Sequence, residues 1–182
     1  MRLQGLAFRL FLVGSHRDRQ LLQPVCLFTV RNGINWPDDF WGYVDLSDSR
    51  IIAEAYSGLV TVWQETFDTE TLSVDLAMRL VGFVHRMAIR SNPDMCLDEL
   101  LSILYTSLRL LWLIFEHRGR ILVDDHARIR GYAITVFVFL EAIQLKRICT
   151  SEDQYMLAKV LGDIEFVALA GRVFLLARGE GE

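Results

Sequence analysis

The sequence predicts a helix-dominated α+β fold, with a small N-terminal antiparallel β hairpin or sheet packed on a bundle of about four α-helices. Three observations predict it. In the first segment the even positions Leu6, Phe8, Leu10 and Leu12 are apolar, the alternation of a strand with one buried face. Val25 to Arg31 is rich in strand formers and runs into Asn32-Gly33, the pair that type I′ hairpin turns favour. From Phe67 onward the apolar residues recur instead every three or four positions, the period of a buried helix face. With no internal repeat and no long linker, residues 1–182 read as one domain, divided into a β-rich part (1–67), a helical bundle (68–179) and a frayed tail (180–182).

Taken in order, the start competes with itself. Leu3, Leu6, Leu10 and Val13 would also make a helix stripe, and the strand reading is preferred because the turn and hairpin signals lie directly downstream. Gly14 to Gln20 reads as a polar turn, and Pro24 should open its strand or lie on an edge, since proline donates nothing to a ladder. Ser47-Asp48-Ser49 can cap a short helix over Arg50 to Tyr56, with Gly58 as its stop and Leu59 to Trp63 as a last strand. Thr71 to Arg90 then carries Leu72, Leu76, Leu80, Phe83, Val84 and Met87 on one face, and Asp75, Arg79, Gly82, Arg86 and Arg90 on the other. Asn92 caps the next helix with Pro93 at its first position, and that helix runs to His117-Arg118 and stops at Gly119. Asp125 to Arg147 contains the β-branched run Ile134-Thr135-Val136, but its length and the continuation through Leu140 and Ile143 favour a helix. Ser151 and Gln154 fit a capping box for a last helix ending near Arg178.

Composition narrows the function classes. Of 19 Lys and Arg residues only Lys146 and Lys159 are lysine. Arginine keeps its charge almost anywhere and offers a rigid fork of donors, whereas lysine is the ordinary solvated surface cation, so the skew points to a surface shaped by something other than solubility. GC-rich codon usage, an overlapping reading frame or avoidance of ubiquitin-acceptor lysines would each produce it. An apolar fraction of 52% argues against disorder. A net charge of −4 argues against general nucleic-acid binding, which needs clustered cations. Arg109 interrupts the apolar run from Leu100 to Phe115, and Tyr132 to Leu140 falls short of the roughly twenty residues that a membrane span needs. Arg9 breaks the apolar N-terminal run, so secretion is not expected. Cys26, Cys96 and Cys149 lack disulfide or metal spacing, which points to a reducing, intracellular compartment.

No motif carries chemistry. G-x-S-x-G, G-x-G-x-x-G and the P-loop are all missing, and no Cys has a His partner and an orienting carboxylate in recognisable form. Asp124-Asp125-His126 with His117 supplies metal-ligating atom types, but adjacent residues on a helix diverge, and the two carboxylates are better explained by a helix N-terminus. Cys96 opens a helix, yet Asp94 and Asp98 oppose thiolate formation there. No catalytic residue, cofactor or metal is therefore assigned, and the balance leans away from an enzyme.

Three groups remain as candidate contacts. Trp36, Asp38, Asp39, Phe40, Trp41 and Tyr43 concentrate aromatics and carboxylates as recognition loops do, although aromatics more often serve cores. Arg79, Arg86 and Arg90 form a cationic row, and Arg118, Arg120, Arg128 and Arg130 form a second; either could dock an acidic partner or a phosphate backbone, or pair within the chain. Leu97, Leu101, Leu104, Leu108, Leu111 and Phe115 keep the a/d spacing of a coiled-coil seam, either core or oligomer interface. The leading expectation is a non-enzymatic, lysine-poor interaction protein that oligomerises or grips a protein partner, of the viral or effector accessory type, in the cytoplasm or the host cytoplasm or nucleus. The alternatives are a small bacterial cytosolic enzyme or ligand-binding protein with a pocket between sheet and bundle, and a peripheral membrane or matrix-like structural protein.

Overall fold

The structure, a computed structural model, describes residues 3–31, 46–66, 74–88, 95–116 and 126–178. These form eight helices with no strand among the described residues: α1 (Leu3–Val13), α2 (His16–Arg31), α3 (Leu46–Thr66), α4 (Val74–Arg86), α5 (Leu97–Glu116), α6 (His126–Arg147), α7 (Ser151–Asp163) and α8 (Phe166–Arg178). The chain groups into two compact units, Met1–Met95 and Cys96–Glu182.

The helical N-terminal unit overturns the α+β expectation, and with it the pocket expected between sheet and bundle. Leu6 to Leu12 is helical, and the side chains it buries are Ala7, Phe8, Phe11 and Leu12, at steps of one, three and one. That spacing belongs to a helix face and to neither stripe that composition suggests. Leu6, Leu10 and Val13, three members of the competing helix stripe, point outward. The polar turn shrinks to Gly14 and Ser15. Gly14 donates its N–H to the Leu10 carbonyl at 2.8 Å, and a Cβ there would meet that same oxygen at 2.6 Å and the Asp18 Cβ at 2.9 Å. Only glycine fits so tight a corner. Ser15 and Asp18 then cap α2 reciprocally, the Ser15 N–H donating to Asp18 Oδ2 at 2.9 Å and the Asp18 N–H to Ser15 Oγ at 3.3 Å.

Pro24 lies inside α2, where a strand edge was expected, and Val25 to Arg31 continues the same helix. Proline withholds one helical N–H, a loss that packing of α2 on α1 and α4 outweighs. Arg19 joins the first two helices from the other side. Its Nε and Nη2 donate to the Phe11 and Leu12 carbonyls at 3.2 and 3.1 Å, covering oxygens that the end of α1 leaves without helical donors. Burial lowers its pKa from the usual arginine value.

Gly58 does not stop α3, and Leu59 to Trp63 is helix, not strand. The buried positions Ile52, Tyr56, Leu59, Val60 and Trp63 hold one continuous face across the glycine, whose missing side chain faces open space. Phe8 of α1 stacks on Phe83 of α4 with centroids 6.0 Å apart, and Arg9 of α1 pairs with Asp48 in the first turn of α3. The Asn32-Gly33 turn lies outside the described residues, as do Asn92 and Pro93.

In the second unit α5 starts at Leu97, with the Cys96 N–H donating to Glu99 Oε2 at 3.0 Å. It packs on α6 and α7, and α8 packs on the same two helices. The helical reading of Tyr132 to Leu140 matches α6, which buries Ile129, Tyr132, Ala133, Val136, Phe139 and Ile143. The Tyr132 hydroxyl donates to the Ser107 carbonyl at 2.9 Å, tying α6 to the middle of α5. The last expected helix differs from the structure in two ways. Its cap is Thr150 with Asp153, one residue before the expected Ser151. It also breaks at Ile164-Glu165, where Glu165 takes φ 52° and α8 begins. A non-glycine residue in that left-handed region is held there by its surroundings.

Candidate interaction surface

Among the described residues no group of three or more His, Cys, Asp or Glu side chains is placed to hold a metal ion. His126 opens α6, while His117, Asp124 and Asp125 lie outside the described residues. Cys26 is buried, and desolvation pushes its thiol up to about 12, so it is not a nucleophile at neutral pH. Cys96 and Cys149 are exposed thiols.

The contact residues expected from the sequence fare differently from one another. Trp36, Asp38, Asp39, Phe40, Trp41, Tyr43 and Arg90 lie outside the described residues, as do Arg118 and Arg120. Arg128 and Arg130 fall in the first turns of α6. Arg79 and Arg86 both fall on α4, about two turns apart. Arg86 is exposed, while Arg79 is half-buried with its Nε lacking a hydrogen-bond partner. The leucine seam is taken up inside the chain. Leu101, Leu104, Leu108, Leu111 and Phe115 are buried and Leu97 is half-buried, while the exposed side of α5 carries polar residues such as Asp98, Ser102, Arg109 and Glu116. The heptad line of α5 therefore serves a core.

Exposed apolar surface lies on α1, where Leu6, Leu10 and Val13 face outward, at Leu21 and Val25 of α2 and Ile51 and Val62 of α3, and on α6 and α8, helices that are apolar on two sides. On α8, Leu169 and Leu176 turn inward. The opposite side presents Val167 at 86% exposure, Phe174 at 56% and Leu175 at 69%, with exposed Ala168 and Gly171 between them. At 100° per residue these five share an arc of about 120° that carries no charge until Arg178 at its end. On α6, Ile134, Val138 and Leu145 are exposed at 62%, 58% and 78% and follow one line at i, i+4 and i+11, interrupted by the exposed Glu141. The exposed side of α7, Tyr155 apart, is polar by contrast, with Glu152, Gln154, Lys159 and Asp163. The spacing of Val167, Gly171 and Phe174 is the sequence signal for the α8 face, and it is faint because the other side of that helix is apolar as well. Single exposed leucines are ordinary, but two neighbouring helices with apolar outer lines are not.

These faces stand on a firm scaffold. Phe137 of α6 meets Phe166 of α8 edge to face at 5.6 Å. Trp112 of α5 donates its indole N–H to the Ile164 carbonyl at 2.6 Å, at the break between α7 and α8, and Arg172 of α8 lies over the same indole at 4.6 Å. Arg178 covers the Phe174 ring at 4.7 Å. The start of α8 is thus fixed to α5 while its outer face stays open.

None of the described helices is long and apolar enough to cross a membrane. Comparison with protein-family models, with curated proteins and with solved structures finds no match to the chain.

Proposed function

We propose that the chain is a non-enzymatic interaction protein that works by presenting apolar helix faces to a protein partner, to itself, or to both. The observation that carries this reading is the outer face of α8, whose large apolar side chains Val167, Phe174 and Leu175 are all more than half exposed. Leaving such surface in water is unfavourable by about 25 cal/mol per Å² of apolar area, so a surface of this kind gains free energy when covered. Cysteines held as thiols at positions 26, 96 and 149 suit a reducing compartment, and a lysine-poor accessory protein inside a eukaryotic host fits the same picture.

Light scattering over a concentration series, paired with fluorescence of a dye that binds exposed apolar surface, tests this. Self-association, or a monomer that binds the dye strongly, is the expected result. A chain that stays monomeric at high concentration and binds no dye would rule out the reading.

A further inference from the structure

We propose that α8 is an exchangeable arm: the bend at Ile164-Glu165 straightens, and the α8 of a second copy of this chain takes the seat that the chain's own α8 vacates. The proposal goes beyond the interaction reading above and does not need the outer face of α8, because it uses the inner one. The bend is short and strained. Two residues separate α7 from α8, and neither is glycine or proline. Glu165 takes φ 52° and donates its N–H to the Gly162 carbonyl at 3.0 Å, so it stands where a helix ordinarily ends on glycine. Glutamate is a good helix former and is penalised in the left-handed region, so the sequence favours helix at the very residue where the chain turns. Short connections under strain are the ones through which elements exchange between copies.

The apolar pattern across the bend points the same way independently. Leu157, Leu161, Ile164, Ala168, Gly171 and Leu175 step by four, three, four, three and four. They share one line, within an arc of about 80°, only in a helix that runs straight through Glu165. The bend splits that line: Leu157 and Ile164 are buried and Leu161 is half-buried, whereas Ala168, Gly171 and Leu175 are exposed. A continuous helix would also give the amides of Phe166, Val167 and Ala168 acceptors at the carbonyls of Gly162, Asp163 and Ile164.

The seat of α8 opposes straightening in a lone chain. Leu169 and Leu176 are buried there, Phe166 meets Phe137, and Arg172 lies over the Trp112 ring. A chain that straightens alone loses these contacts. A second copy restores each of them, because its α8 carries the same residues in the same order, and a reciprocal exchange closes at two copies. The bent monomer and the exchanged dimer therefore differ mainly at the bend. There the bond from the Trp112 indole to the Ile164 carbonyl holds the bent form, and the backbone of Glu165 opposes it.

The test refolds isotope-labelled and unlabelled full-length chains together at high concentration and separates monomer from dimer by size. Isotope-filtered NMR on the dimer then asks whether Phe137 of one copy lies against Phe166 of the other. Sedimentation equilibrium compares the wild type with Glu165→Gly, which eases the bend and weakens a straight helix, and with Trp112→Phe, which removes the donor that holds the bend. The expected result is contact between copies, with the dimer dissociation constant raised about a hundredfold by Glu165→Gly. Trp112→Phe should lower it about tenfold. Should Glu165→Gly fail to fold, Glu165→Asn, which also tolerates the left-handed region, must raise the constant in its place. A wild type that stays monomeric after refolding at high concentration overturns the exchange, and strong binding of the apolar dye by that monomer would still uphold the interaction reading. A dimer in which Phe137 meets Phe166 only within each copy overturns the exchange and assigns association to the outer surfaces. A dimer whose dissociation constant Glu165→Gly leaves unchanged overturns the strained bend as its cause.

Discussion

Replacing Trp112 by Phe removes one donor and keeps most of the ring. The Ile164 carbonyl accepts from the Trp112 indole at 2.6 Å and marks the point where α7 ends and α8 begins. The backbone bond that leads into α8 runs from the Leu169 N–H to the Glu165 carbonyl, one residue further on, which leaves the Ile164 oxygen to the indole. A net hydrogen bond is worth about 1 kcal/mol, and a partly buried carbonyl left without a donor adds about 1 kcal/mol more. Arg172 stacks on the indole at 4.6 Å, and the weaker attraction of a phenyl ring forfeits a few tenths of a kcal/mol. Trp112→Phe should therefore cost about 2 kcal/mol, a drop in thermal midpoint of about 4–8 °C for a chain of this size. Urea unfolding followed by far-ultraviolet circular dichroism measures it. Arg172→Ala should cost only about 0.5 kcal/mol, and the double variant should lose less than the two single losses combined, since both changes act on one contact. A Trp112→Phe protein within about 0.5 kcal/mol of the wild type would refute the claim that this indole holds the α7–α8 break.

Three further outcomes are set by the geometry. Gly14→Ala should destabilise the protein by about 1–3 kcal/mol, because its Cβ would collide with the Leu10 carbonyl oxygen; a thermal melt unchanged from wild type would contradict the tight corner. An aromatic disulfide reagent at mildly alkaline pH should titrate Cys96 and Cys149 in the native protein and reach Cys26 only after denaturation; a prompt third equivalent would show that Cys26 is not buried. Thr150→Ala should cost about 1 kcal/mol through loss of the α7 cap. The pKa of Asp153 is lowered first by the Cys149 N–H, then by the N–H and hydroxyl of Thr150. A carboxylate depressed in the folded state contributes stability that is present above its unfolded pKa and lost as pH falls through its folded one. The cap should therefore weaken in acid, below about pH 4. Carboxyl NMR titration of Asp153 should show the depressed midpoint, and an ordinary midpoint would dismiss the cap's role.

The helical half of the fold was legible because long segments average out local ambiguity: α5 and α6 repeat their buried positions along their whole length. The N-terminal part was not, because its cues are local and its packing is not. Leu6, Phe8, Leu10 and Leu12 alternate by composition, yet the choice between faces is made by Phe83 of α4, which receives Phe8, and by α3, whose Asp48 receives Arg9. Pro24 and Gly58 punctuate a sequence strongly, but a helix anchored on both sides of such a residue absorbs its cost. Thr150 and Ser151 are chemically similar caps, and only the placement of Asp153 decides between them. The break at Ile164-Glu165 left no mark that a single sequence shows, since Gly162 alone is a weak stop and Trp112, which holds the break, is 52 residues away from Ile164. The candidate surface was hidden for a related reason: periodicity finds one apolar face per helix, and on α6 and α8 the informative face is the second.

The inward course of the α5 leucines fixes an order of events. A heptad line exposed on one chain would oblige two chains to meet before either could finish folding, and stability would then rise with protein concentration. Here Leu104, Leu108 and Leu111 find their neighbours within one copy, so that core can close first and any encounter comes afterwards. An association between finished surfaces is one that dilution can undo without unfolding either participant.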